Sequence, residues 1–123
     1  MMAEKARLMG DSSTLELILS CTDPNEIKAL GKIVKNFDEG IWFKQRSKIV
    51  AKGNYYKFLC NTELKEFLIC TGEKILVEAS PYDTIWGIGM KEDDPNATNP
   101  YRWKGENLLG FALMEVREKL KER

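Results

Sequence analysis

DEGIWFKQRSKIVAKGNYYKFLCN, residues 38–61, sets the helical character of this chain. At about 100° per residue, Trp42, Arg46, Ile49, Gly53, Tyr56 and Cys60 fall on one stripe of a helix. Lys44, Lys48 and Lys52 fall on the other side. The lysine ladder is like-charged at i,i+4, which is slightly unfavourable and reads as a solvated face. Arg46 is the only charge on the apolar stripe. A half-buried guanidinium there needs a carboxylate or a phosphate partner, and both a structural acid and a ligand phosphate fit. The Gly53-Asn54 pair is a point where the helix could break.

Working outward, the segments on either side also read as helices. MMAEKARLMG at the start carries good helix formers that end at Gly10-Asp11. SSTLELILS, residues 12–20, is a short helix with Ser12 or Ser13 as its N-cap. DPNEIKALGKIVKNF, residues 23–37, opens with Asp23 as N-cap, Pro24 at the first helical position and Glu26 closing a capping box. Ile27, Leu30, Ile33 and Val34 then share its core face. TELKEFLICTG, residues 62–72, has Thr62 as N-cap and Gly72 as stop. NLLGFALMEVREKLKER, residues 107–123, turns Leu109, Leu113, Val116 and Leu120 inward and a charged end outward. KILVEAS, residues 74–80, is short and apolar enough for one buried strand. KEDDPNATNPYRWKGEN, residues 91–107, has no periodicity, and a loop that long in a small domain is usually functional or mobile. The expectation is a mainly α, single compact multihelical domain over residues 1–123 with a minor short β element.

Composition narrows the function. The chain has 123 residues, 43% hydrophobic and 31% charged, which fits one globular domain. Lys plus Arg and Asp plus Glu are 19 each, so no basic field points to nucleic acid or an anionic membrane. No apolar run approaches about 18 residues, and the first residues lack a signal peptide's apolar centre. Three widely spaced cysteines (Cys21, Cys60, Cys70) are an odd count without metal spacing, and they read as free thiols in a reducing cytosol. The expected location is cytoplasmic. The absence of any histidine removes Ser-His-Asp and His-Cys chemistry and the usual catalytic zinc set. Proton transfer then falls to carboxylates, lysine or tyrosine.

Carboxylates are concentrated in EASPYDTIWGIG, residues 78–89. The apolar run 75–77 delivers Glu78 to its end, and the Pro81-Tyr82 turn brings Asp83 back towards it. Trp86 offers a flat apolar face to a planar ring. Gly87 and Gly89 allow a ligand close to the backbone. Each has a plainer reading: Asp83 as a turn cap, Trp86 and Trp103 as core, Glu78 as a partner for Arg46.

EASPYDTIWGIG followed by WKGENLLGFALMEVR, residues 103–117, resembles the signature of the NADAR (NAD- and ADP-ribose-associated) family, also known as riboflavin-biosynthesis-intermediate N-glycosidases. The pieces MMAEKA, DPNEIKALGK, FDEGIW with Arg46 behind it, and KFLCN agree in order. The likeness covers essentially the whole chain. It implies a mainly α fold and cleavage of N-glycosidic bonds to ribose, on phosphoribosylamino-pyrimidine intermediates of riboflavin synthesis or on ADP-ribosylated guanine. By the same resemblance, Asp83 and Glu78 are the catalytic candidates. Lys5, Trp42, Arg46, Trp86, Gly87, Gly89, Trp103 and Asn107 are the substrate-binding candidates, with Lys5 and Arg46 on phosphate. Lys32 stands where members commonly have arginine, and Cys60 where they have glutamine.

The implied partner is a small phosphoribosyl or ADP-ribosyl substrate, with nucleic acid involved only if ADP-ribosylated guanine is that substrate. No membrane, metal or redox cofactor is implied. Family members also carry an N-terminal segment, with a Ser-Asn-Phe-like stretch and a glutamate, ahead of the residues matching Met1 and Met2. The chain is therefore expected to be an N-terminally shortened member. A non-catalytic ADP-ribose- or nucleotide-binding module is the competing reading, and a purely structural remnant is another.

Overall fold

The computed structural model describes residues 1–122. Its helices are α1 Met2–Leu8, α2 Ser12–Leu19, α3 Pro24–Lys32, α4 Glu39–Leu59, α5 Thr62–Cys70 and α6 Leu108–Lys121, with one 3₁₀ turn at Pro100–Arg102. Among the described residues all regular structure is helical, so the protein is mainly α. Arg123, the last residue of the helix expected over 107–123, lies outside the described residues. The chain divides into two compact units, Met1–Ile49 and from Val50 onward.

The first unit packs α1, α2 and α3 around Ala6, Met9, Ile18 and Val34, with Leu15, Ile27, Leu30 and Trp42 half-buried beside them. The Met2 thioether packs where a Cβ at Gly31 would lie, so the glycine gives that side chain its seat against α3. The cap of α2 is Asp11, not Ser12 or Ser13. Its Oδ1 accepts from the Thr14 amide at 3.1 Å and its Oδ2 from the Lys35 amide at 2.8 Å. At α3, Asp23 caps as expected through the Asn25 amide. Glu26 instead accepts from the Cys21 thiol at 3.1 Å, and that carboxylate raises the thiol's pKa. The helix stops at Lys32 rather than running on to residue 37. Ile33 therefore leaves the helical register and is 62% exposed instead of inward.

Helix α4 is continuous through Gly53-Asn54. The Asn54 side chain donates to the Val50 carbonyl one turn back, which ties it to the helix it was expected to break. The lysine ladder is exposed as predicted. The apolar stripe is not straight, however: Tyr56 is 53% exposed and Cys60 is exposed, while Val50 and Ala51 are buried. In the second unit the packed residues of α4 are Val50, Ala51, Tyr55, Phe58 and Leu59.

That second unit closes on Val50, Ala51, Leu68, Ala112, Val116 and Leu120, with Leu76, Trp86 and Leu109 packed against them. Burying side chains such as Val116 and Leu120 contributes about 1.5–3 kcal/mol each. Asn61, one residue ahead of the expected Thr62, caps α5 through the Leu64 amide. Gly72 takes φ +65° after it, the left-handed turn that ends helices.

The expected strand at residues 74–80 is absent among the described residues. A strand requires a partner ladder, and here one side chain takes the ladder's place. The Asn107 amide donates to the Leu76 carbonyl and accepts from the Glu78 amide, both at 3.0 Å. Apolar sequence alone could not reveal this, because the segment is extended and half-buried whether its partner is a strand or an asparagine.

Candidate functional site

The 78–89 turn folds around Gly87. A Cβ there would lie 2.8 Å from the Asp83 carbonyl, 2.9 Å from the Glu78 carbonyl and 3.3 Å from Glu78 Cγ. The glycine thus draws the two candidate acids onto one bend. Asp83 Oδ1 accepts from the Trp86 amide at 2.8 Å and the Ile85 amide at 3.0 Å, so one carboxylate oxygen is committed to closing the turn. Glu78 is held through its backbone instead. Its amide donates to Asn107, and its carbonyl accepts from Ile88 at 2.9 Å and Ser80 at 3.0 Å. The two acids are therefore anchored differently, and that difference bears on what each could do.

Asn107 joins the turn to α6. It is fully buried and sits at φ +54°, a left-handed conformation that asparagine tolerates better than most residues. Besides its two side-chain bonds, its backbone amide donates to the Gly87 carbonyl at 3.0 Å. Behind it, a Cβ at Gly110 would strike the Leu76 carbonyl and the Asn107 amide. A Cβ at Gly105 would strike the Gly87 carbonyl. Gly89, at φ +69°, packs against Lys104 and Thr84. The space that Gly87 and Gly89 leave open is taken by the chain itself, which makes the bend tight. Trp86 lies half-buried on the second unit's core, and its carbonyl accepts from Leu109.

Trp103 packs at the end of this bend, beside Ile88. Its indole N–H donates to the Ala97 carbonyl at 2.8 Å, and its ring packs on Ile88, Met90 and Ala97. With Ile75, Val77, Thr98 and Pro100 it lines an apolar pocket of about 220 Å³. The loop 91–107 is organised by short Asx turns, Asp94 to the Asn96 amide and Asn99 to the Tyr101 amide.

In the first unit, Lys5 and Trp42 come together. The Lys5 ammonium donates to the Gly31 carbonyl at 2.7 Å and stands 4.8 Å from the Phe37 ring centre and 5.7 Å from that of Trp42. Burial lowers its pKa, since desolvation penalises the charged form. One turn along α4, the half-buried Arg46 lays its guanidinium 4.6 Å from the Phe43 ring centre.

Two charged residues that organise the structure escaped the sequence reading. Asp11 is buried and gathers two amides and the Ser13 hydroxyl, so its pKa lies well below the usual carboxylate range, chiefly through the Lys35 amide. Arg117, assigned to the charged outward end of α6, is buried. The signal was present: 113, 117 and 120 follow i,i+4,i+7, so Arg117 shares the inward stripe. Among the described residues no cluster of acids and cysteines could hold a metal ion, and no helix is long and apolar enough to cross a membrane.

The chain is similar to several known proteins. An N-glycosidase of Acanthamoeba polyphaga mimivirus is 45% identical over 118 residues, covering 96% of this chain and 69% of the relative. An N-glycosidase of Nostoc punctiforme is 32% identical over 111 residues, covering 90% of this chain and 64% of the relative. A riboflavin biosynthesis protein of Vibrio vulnificus is 30% identical over 118 residues, which is 96% of this chain and 29% of that protein. The chain thus spans about two thirds of the first two relatives and less than a third of the last. The NADAR domain model matches residues 1–121, and the chain belongs to the NADAR family.

Proposed function

We propose that this protein is an N-glycosidase that hydrolyses the N-glycosidic bond of phosphoribosylamino-pyrimidine intermediates of riboflavin biosynthesis, releasing ribose 5-phosphate and the free pyrimidine. The relatives named N-glycosidase support the reaction class, and the relative named for riboflavin biosynthesis supports the substrate. The observation that carries the reading is the Gly87 bend, which brings the backbone of Glu78 and Asp83 together in a chain with no histidine.

Cleavage of such a bond passes through an oxocarbenium-like transition state. Fixed negative charge beside the sugar stabilises that cation, and a base must take a proton from the attacking water. Asp83, with one oxygen bonded to two amides, suits the fixed charge. Glu78, anchored by its backbone, suits the base. Water adds to the anomeric carbon and gives one proton to Glu78. The carbon–nitrogen bond breaks, its electron pair stays on the departing nitrogen, and the proton that Glu78 took from water returns to that amine, which restores the carboxylate. Trp86 offers the pyrimidine a wall, and Lys5 and Arg46 are the cations that the family signature assigns to phosphate.

The test is to incubate the protein with 5-phosphoribosylamino-pyrimidine and quantify ribose 5-phosphate. A parallel reaction uses an oligonucleotide bearing ADP-ribosylated guanine. Release from the first and not the second supports the reading. Release from the second alone would reassign the substrate, and release from neither would overturn the hydrolase.

A further inference from the structure

We infer that Arg117 is a positioning residue for Glu78: it anchors the near end of the extended segment whose far end carries that acid. The inference rests on the proposed role of Glu78. The segment from Lys74 to Glu78 has no strand partner, and its backbone is fixed from one helix. Asn107, at the start of α6, takes the Leu76 carbonyl and the Glu78 amide. Arg117, further along the same helix, donates from Nη1 to the Lys74 carbonyl at 2.8 Å and to the Thr71 hydroxyl at 2.9 Å. Both ends of the segment are therefore tied to α6, and Glu78 inherits its position from that helix.

Packing alone does not account for the residue. Arg117 lies on the buried stripe with Val116 and Leu120, where an apolar side chain would avoid the cost of desolvating a guanidinium. Its Nε makes no hydrogen bond, and Glu118 Oε1 stands 3.8 Å away. The charge is thus buried with incomplete compensation. What the guanidinium supplies, and an apolar group could not, is a donor that bridges the Thr71 turn and the Lys74 carbonyl. The Thr71 hydroxyl itself donates to the Leu68 carbonyl at the end of α5, so the anchor reaches back into a second helix. Small displacements of a reacting group cost rate out of proportion to stability, about 10²-fold for a shift near 1 Å.

The test compares the unmodified protein with Arg117→Lys, and with Thr71→Val, which removes one acceptor while leaving the guanidinium in place. Amide hydrogen exchange at Glu78, whose N–H donates to Asn107, reports how firmly the segment is held, and ribose 5-phosphate release reports its effect. The expected result for Arg117→Lys is exchange at Glu78 faster by at least tenfold, with Val116 exchange unchanged. kcat should fall by about 10²-fold with KM within twofold. Thr71→Val should move both readouts the same way by less. Unchanged Glu78 exchange in a folded Arg117→Lys protein overturns the inference, as does faster exchange with full kcat. If the unmodified protein releases no product, the glycosidase reading fails, and the exchange arm alone decides whether Arg117 fixes the segment.

Discussion

Replacing Asn107 by alanine should cost about 3–4 kcal/mol of stability, and the sum can be built from its parts. The substitution leaves the Leu76 carbonyl and the Glu78 amide without their 3.0 Å partners. A buried polar group stranded in this way costs about 1–3 kcal/mol. Residues 76 and 78 are half-buried, so water can partly replace the lost bonds and the lower half of that range applies. At about 1–1.5 kcal/mol for each of these wetted groups, the two together come to about 2–3 kcal/mol. Alanine must also adopt φ +54°, which adds about 1 kcal/mol. For a chain of this size, with a urea m-value of about 1.5–2 kcal/mol/M, the midpoint should fall by about 2 M. Asn107→Gly separates the components. It loses the same two bonds but takes the left-handed conformation freely, so it should recover about 1 kcal/mol relative to alanine. Urea unfolding followed by circular dichroism measures both. An alanine variant within 1 kcal/mol of the parent would show that Asn107 does not substitute for a strand partner, and a glycine variant no better than alanine would remove the contribution assigned to φ.

Three further outcomes follow from the same geometry. Gly110→Ala should cost about 1–3 kcal/mol, because its Cβ meets the Leu76 carbonyl and the Asn107 amide, neither of which can swing away; urea unfolding checks it. Asp11 has a folded pKa below its unfolded value, so its contribution is full above about pH 4 and is lost as pH falls towards the folded value. Thermal melts across pH 2–7 should accordingly be flatter at the acid end for Asp11→Asn, and a parallel acid limb would contradict the assignment. Lys5→Met should weaken binding of ribose 5-phosphate more than of ribose, measured by calorimetry, and equal losses would remove Lys5 from the phosphate role.

Much of this was legible in the sequence, for definite reasons. Pro24 after Asp23 and the glycines after α1 and α5 restrict the backbone locally, so the starts and stops of those helices could be read directly. The lysine side of α4 was clear because it faces solvent and needs no knowledge of a partner. Most of what failed depended on contacts distant in sequence. The cap bond of Asp11 to the Thr14 amide is local, and Ser12 and Ser13 compete for it as equally good capping residues; only its second bond, to the Lys35 amide 24 positions away, lies beyond local reading. The 74–80 segment was read as a strand because nothing local announces that its partner is Asn107. Arg117 is a different case: its place on the inward stripe is local, but the partners that make a buried guanidinium acceptable, Thr71 and Lys74, are more than 40 positions away. At the site, the proximity of Glu78 and Asp83 could be read from the Pro81 turn. Their different anchoring could not, because it rests on amides that any residue at 85, 86 or 88 would supply.

The most direct test of the central claim is product release by a matched pair, Glu78→Gln and Asp83→Asn, beside the parent protein. Both changes are nearly isosteric. An asparagine at 83 can still accept from the amides of Ile85 and Trp86, so the turn should survive. With 5-phosphoribosylamino-pyrimidine as substrate, Glu78→Gln should lower kcat by about 10²- to 10⁴-fold, as loss of a general base does. Asp83→Asn should also lower kcat, with melting temperatures near the parent's in both. Parental turnover by a folded Glu78→Gln protein would contradict the account.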